Sequence, residues 1–442
     1  MKAALLLALA ACHTADLVVG DLQDVTAMRA IPNRALDVLF VVDNSPSMAD
    51  KQASLAASFP QMIARLAQLD DGVPSLHVGV VTSDMGTLGA ASDVPGPGIG
   101  SLGLGGCAGR GDDGALQHAG VPALSDGFVS DVADASGARV RNYDGALGDV
   151  IARLLQVGDG GCGFEQHLAA MRRALTNPVN GGFFRAEANL AVVILADEDD
   201  CSLLDPAVLG NDAALGPLAS FRCFEHGVVC DPDQPRAAGD KQRCRPRADS
   251  TLIEPIAPFV DALRAAKPDP RQVMVAAIVG DPAPVRVTID PIPSLAPSCQ
   301  FAGASGDELA DPAVRLAAFV AGFAGRTQLT SICNQDLGAS LDAIGATAKH
   351  LVGDPCIDTA ALVDTSPDPG VQPACEVTQV RDAALDGPSI MAPCADPDAT
   401  ECYALVADPV ACPAGDHLRV RLQRAQALPD DTWIHVRCQR TE

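Results

Sequence analysis

The sequence predicts an α/β chain: a doubly wound, mostly parallel, Rossmann-like sheet with two long insertions, followed by a small disulfide-rich β module. Three observations carry this. Short apolar runs at 36–42, 76–82, 190–196 and 272–279 suit strands buried on both faces of a parallel sheet. Apolar residues recur at helical spacing between them, the alternation that builds parallel sheets. Beyond 353 the pattern changes to short alternating segments among six cysteines, the mark of a half-exposed antiparallel sheet that needs covalent staples.

The totals set bounds. A chain of 442 residues has room for one large domain and a smaller one. Hydrophobic residues make up 48% but aromatics only 3%, so the core must be built from Ala, Val and Leu. The formal net charge of −25 argues against a nucleic-acid partner, which rewards basic patches. Lys2, the apolar 3–8 stretch and Leu9-Ala10-Ala11-Cys12 resemble a bacterial lipoprotein signal peptide. The resemblance implies a signal at 1–11, lipid on Cys12 and a membrane-tethering segment at 12–35. A plain secretory signal is the alternative. His13 stands where an Asp often marks inner-membrane retention, which favours the outer membrane or cell surface.

In chain order, the 36–42 strand ends in Asp43, Ser45 and Ser47, small oxygen donors at alternate positions. One carboxylate and two hydroxyls suit a hard cation, Mg²⁺ or Mn²⁺, with Ca²⁺ as a further choice. Met48, Leu55, Phe59, Met62, Ile63 and Leu66 then mark a helix, with a kink or break expected at Pro60. After the 76–82 strand, residues 87–144 lose periodicity and read as a surface excursion pinned by Cys107. Within it, Arg110-Gly111-Asp112 reads as a polar turn. A helix at 147–157 and another through Leu168, Met171 and Leu175 flank a loop holding Cys162 and Glu165. The 190–196 strand ends in Asp197-Glu198-Asp199-Asp200, four acids that need offsetting cations or an acidic, helix-capping loop. A second insertion at 202–250 follows Cys201 and carries Cys223, Cys230 and Cys244. There, Cys223–Cys230 and Cys201–Cys244 are the pairings first considered. Helices are expected at 253–266, 311–323 and 336–351, with Cys299 and Cys333 in the loops. The main domain closes at 353. The terminal module, 354–442, holds Cys356, Cys375, Cys394, Cys402, Cys412 and Cys438, and its clearest strands are 418–422 and 432–436. Setting Cys12 aside leaves fourteen of the 15 cysteines, an even number without C-x-x-C spacing, which favours disulfides over zinc.

Apolar strand, Asp-x-Ser-x-Ser, then amphipathic helix resembles the opening of a von Willebrand factor type A domain with its metal-ion-dependent adhesion site. The resemblance covers about 36–353 and implies that Asp43, Ser45, Ser47 and Asp197 hold a divalent cation. That cation would accept an acidic side chain from a protein partner. In that family a Thr completes the inner shell; here its position falls near Cys162 or Gly163, so either Glu165 supplies the oxygen or the site has one ligand fewer.

Catalytic signatures are missing. There is no G-x-S-x-G elbow, H-E-x-x-H helix or phosphate-binding G-x-x-x-x-G-K. His77, His167 and His350 read as structural or surface residues. The expected function is non-enzymatic: adhesion through the cation, or alternatively a metal-free scaffold in a cell-envelope assembly. A hydrolase built on the acids around Asp197 ranks below both.

Overall fold

The computed structural model describes residues 22–69, 72–134, 136–303, 306–360, 362–367, 370–381, 388–395, 400–408, 412, 418–425, 428–429 and 432–441. The expected signal peptide and Cys12 lie outside the described residues. At the centre is a seven-stranded sheet in the order Thr327–Ser331, Val273–Val279, Asn189–Leu195, Ala35–Val42, Ser75–Thr82, Val129–Ala133, Arg139–Arg141. Its first five strands run parallel, and the last two are antiparallel.

The Ala35–Val42 strand sits in the middle and shows why such uniformly apolar runs are needed. Leu36, Val38, Phe40 and Val42 point to one core, while Leu39 and Val41 point to the other. Successive strand side chains alternate in direction, so a strand covered on both faces is apolar on both; the one exception here, Asp37, is buried and paired with Arg185 and Lys267. Seven helices are described: α1 Ala49–Leu66, α2 Leu147–Leu154, α3 His167–Thr176, α4 Phe221–Gly227, α5 Ala257–Arg264, α6 Val314–Ala321 and α7 Gly338–Leu351. Helices α1, α2 and α7 contribute to the first core, and α3, α5 and α6 to the second. Helix α1 runs unbroken through Pro60. None of the helices among the described residues is long and apolar enough to cross a membrane.

The expectation of a doubly wound, mostly parallel sheet with one small added module is corrected by the strand pairing. Among the described residues there are five sheets, and eleven of the sixteen pairings are antiparallel. The architecture is mixed. Much of the difference comes from the segments read as irregular. The 87–144 excursion returns as two strands, Val129–Ala133 and Arg139–Arg141, that extend the main sheet antiparallel from Ser75–Thr82. The 202–250 insertion supplies Val228–Asp231 and Gly239–Pro246, which join Val285–Ile289 and Pro293–Ala296 in a separate sheet. Short polar strands of this kind leave no apolar run to read.

The tether is also shorter than expected. Within 12–35, Gln23–Arg29 is a strand paired antiparallel with Trp433–Cys438, so the chain's two ends share one sheet. The seven disulfides are Cys107–Cys162, Cys201–Cys223, Cys230–Cys244, Cys299–Cys333, Cys356–Cys412, Cys375–Cys438 and Cys394–Cys402. Neither Cys223–Cys230 nor Cys201–Cys244 forms; Cys201 takes Cys223, and Cys230 takes Cys244 across the paired strands of the insertion. This many disulfides belongs in an oxidising compartment outside the cytosol.

The terminal strands are anchored by Trp433, the chain's one tryptophan. It is fully buried and belongs to the core on the α1 face of the main sheet. Its indole N–H donates to Asp269 Oδ2 at 3.0 Å, and the Arg29 and Arg271 guanidiniums lie 5.6 and 5.9 Å from its ring. We expect Trp433→Ala to cost about 3–5 kcal/mol in urea unfolding followed by far-UV circular dichroism. A loss under 1 kcal/mol would show that the terminal sheet docks by other means.

Candidate functional site

Parallel register brings three strand ends to one edge of the main sheet. Val42 pairs with both Thr82 and Leu195, so Asp43, Ser83 and Asp197 emerge close together. Backbone bonds from Asp43 N–H to Leu195 O at 2.9 Å and from Ser83 N–H to Val42 O at 3.1 Å carry this registry past the strands. Of the expected ligand set, Asp43 and Ser45 are buried and Ser47 is exposed. The Ser45 N–H donates to Asp43 Oδ1 at 2.8 Å, and the Ser45 and Ser47 hydroxyls are 3.1 Å apart. The Gln52 amide donates to the Asp43 carbonyl at 2.8 Å, locking the loop onto α1.

Two carboxylate oxygens in this group accept no hydrogen bond: Asp43 Oδ2 and Asp197 Oδ1, both buried. The Ser83 hydroxyl, at the end of the next strand, is likewise buried and makes no hydrogen bond. Such groups are normally satisfied inside proteins because leaving them dry costs the full desolvation penalty.

The neighbouring acids share the strain. Burial raises the Glu165 carboxyl well above its ordinary range, reinforced by the charges of Glu198 and Asp43. Glu198 rises to about 8 through burial and the charges of Asp197 and Asp311. Asp311 rises to about 7 through burial with Asp197 and Asp199 nearby. Asp197 is also raised, by burial and Asp43, although Lys51 pulls it down. Glu165 is therefore part of the cluster, and its carboxyl group is bonded to that of Glu198.

Two cationic groups were not read from the sequence as part of this site. Lys51, one turn into α1 and almost fully buried, places its ammonium 3.1 Å from Asp197 Oδ2 and 3.1 Å from the Ser47 carbonyl. It also bonds Glu308, from the Cys299–Ala302/Asp307–Ala310 hairpin. Burial lowers its pKa, but Asp197 and Glu308 outweigh that and hold it above the ordinary lysine value. His167, fully buried at the start of α3, lies with Nε2 3.5 Å from Asp43 Oδ2, an ion-pair distance rather than a hydrogen bond. Burial would lower its pKa; Asp43, with Asp200 and Asp199, raises it overall. Both His167 and His77 are buried rather than on the surface: His77 bonds the Phe183 carbonyl through Nδ1 at 2.9 Å and lies 3.9 Å from Asp37, while His167 lies against Asp43 at the candidate site. Which carboxylate each histidine meets is set by packing, and spacing carries no trace of it.

The loop before α3 is pressed against the Asp43–Ser47 loop. Gly161 N–H donates to the Asn44 carbonyl at 2.7 Å, and a Cβ on Gly161 would meet Asn44 Oδ1 at 2.2 Å, so any larger residue would have to displace the Asn44 side chain. Cys162 is consumed by its bond to Cys107 and offers no oxygen. The acidic run divides by role. Asp199 accepts from the Arg315 and Leu316 N–H groups at the start of α6, and Asp200 accepts from the Leu168 N–H of α3 and from Arg315. These two acids cap helices remote in sequence, and Asp200 is buried, so they do not form a solvated loop capping the next element. Asp112 of the Arg-Gly-Asp triplet accepts from the Thr82 hydroxyl at 2.6 Å, and Arg110 bonds the Asp93 carbonyl, so the triplet is an internally bonded turn.

Above the cluster opens a cavity of about 550 Å³ bordered by Ser47, Lys51, Asp197, Glu198, Glu308 and Asp311. Among the described residues no three His, Cys, Asp or Glu side chains form a ready metal cage. The donors that do converge are two carboxylates and hydroxyls, a hard-oxygen set.

The raised acids fix a pH dependence. Asp199, at about 6, and Asp311, at about 7, bind protons more tightly folded than unfolded, where the ordinary value is 3.8. Their contribution is fully present below pH 3.8 and is lost as pH rises through 6 to 7. With chelator present, thermal melts should show Tm falling from pH 5 to pH 8, and Asp311→Asn should flatten that fall. An unchanged pH profile in Asp311→Asn would refute the assignment.

No family model matches the chain, and no curated protein matches it. Solved structures similar to it include the pilus adhesin SpaC from Lactobacillus rhamnosus GG in its open conformation, 9% identical over 93% of this chain and 39% of that one, TM-score 0.30. The human COPII-coat protein Sec24c is 10% identical over 92% of this chain and 40% of its own, TM-score 0.30. The pilus adhesin RrgA from Streptococcus pneumoniae is 10% identical over 96% and 58%, TM-score 0.27. This chain spans less than two thirds of each of them.

Proposed function

We propose that this protein is a cell-envelope binding protein that captures an acidic group of a protein partner through a divalent cation, Mg²⁺ or Mn²⁺, at the Asp43–Asp197 edge. The observation that carries the reading is the pair of buried oxygens that accept no hydrogen bond, Asp43 Oδ2 and Asp197 Oδ1, with two adjoining serine hydroxyls in the same loop. Asp43, Ser45, Ser47 and Asp197 would hold the cation, with Glu165 or Ser83 as the source of a further oxygen. A bound cation supplies positive charge at an acidic edge, which lets a protein of charge −25 accept a carboxylate that its own field would repel. The lipobox-like residues 9–12 support attachment to the membrane through lipid on Cys12, with the folded part outside the cytosol.

A second reading has its own observation. Lys51 already neutralises Asp197, so the site can be a closed ion pair in a scaffold protein.

Calorimetry on the lipid-free chain separates the two. Adhesion requires saturable Mg²⁺ or Mn²⁺ binding that weakens at least tenfold in Ser45→Ala and Asp43→Ala. Because Lys51 competes for Asp197, Lys51→Met should then bind the cation more tightly than the parent. If neither cation binds to the parent or to Lys51→Met, and Lys51→Met only lowers Tm, the scaffold reading stands. Glu165→Ala tests the remaining oxygen: lost affinity identifies Glu165, and retained affinity means that Glu165 is not a ligand.

A further inference from the structure

A second cavity, of about 590 Å³, has the opposite character. Arg29, Arg34, Arg419, Arg421 and Arg424 all line it, and no acidic residue does among the described residues. The chain carries 56 acidic side chains against 31 basic ones, so five arginines around one cavity depart from its whole composition. The cavity lies where the parts of the fold meet. Its walls are the end of the Gln23–Arg29 strand and the link after it, the turn at Gly353 and Pro355, and the Leu418–Gln423 strand.

Part of this charge is already engaged at the margin. Arg419 pairs with Asp408 at 2.9 Å, and Arg424 pairs with Glu401 at 3.4 Å and bonds Gln379. Arg34 donates to the Val352 carbonyl at 3.4 Å, and Arg29 lies over Trp433. Two features remain open. Arg421 is exposed and makes no ion pair or hydrogen bond among the described residues, and the buried Nε of Arg424 has no acceptor. Between the arginines, Ile31, Leu422 and Ile434 give the cavity an apolar wall.

The combination selects a ligand. Guanidinium forks match phosphate oxygens in two-point contacts, and Arg421 has no counter-charge among the described residues to compete with such an anion. The apolar wall favours an anion with a hydrocarbon body, and the volume is that of a small-molecule site. We infer that this cavity binds a phosphate monoester carrying an apolar chain, whether as a free molecule or as the head of a membrane lipid.

Calorimetry of the full chain with dodecyl phosphate, below its micelle concentration, tests this directly. Expected is saturable one-to-one binding, weaker for inorganic phosphate and undetectable for neutral dodecyl maltoside. Arg421→Glu and Arg424→Gln should each weaken it at least tenfold while far-UV circular dichroism stays unchanged. No saturable binding, equal binding of the maltoside, or binding that survives Arg421→Glu would overturn the inference. Sedimentation with phosphatidic acid vesicles distinguishes the sources: capture lost in Arg421→Glu supports the lipid, and dodecyl phosphate binding without capture supports the free molecule.

Discussion

The structure depends above all on holding carboxylates out of water at one edge of its main sheet. Parallel strands deliver Asp43 and Asp197 side by side, and the surrounding loops add Glu165, Glu198 and Asp311. Desolvation and mutual repulsion both disfavour this, so each nearby element contributes compensation. Helix α1 brings the Lys51 ammonium, and α3 brings His167. The Cys107–Cys162 bond and the close approach of Gly161 keep the loops from spreading. Compensation is incomplete, because two carboxylate oxygens accept no hydrogen bond.

Charge is segregated along the central strand. Asp43 follows its C-terminal end, where the acids gather, while Arg34 precedes its N-terminal end and faces the arginine-lined cavity. The eight-residue strand between them, nine steps from Arg34 to Asp43, separates the two by about 30 Å. That is beyond the roughly 8 Å Debye length at physiological salt, so the two ends act as separate electrostatic environments. An acidic protein can therefore keep a basic cavity without the two regions cancelling.

The two chain ends complete that basic region. The Gln23–Arg29 strand pairs with Trp433–Cys438, Cys375–Cys438 ties the same sheet, and Trp433 buries itself in the main core. Arg29 and Arg421 line one cavity only because this sheet and the Leu418–Gln423 strand dock together against the joint at Gly353.

By itself the sequence determined the central strands, apolar on both faces, the amphipathic helices between them and the oxygen donors at Asp43, Ser45, Ser47 and Asp197. Those features are local: burial on two faces and helical spacing leave their mark residue by residue. It also determined that fourteen cysteines would pair, but not which. Only the tertiary structure decided the mixed strand pairing, the disulfide partners, the seating of Lys51 and His167 on the acids, and the gathering of five arginines. Each of these joins residues far apart in the chain: Lys51 and Asp197, His167 and Asp43, Arg29 and Arg421. A short polar strand or a single charged side chain looks the same in sequence whatever it finally meets, because its partner is chosen by how the helices and sheets pack.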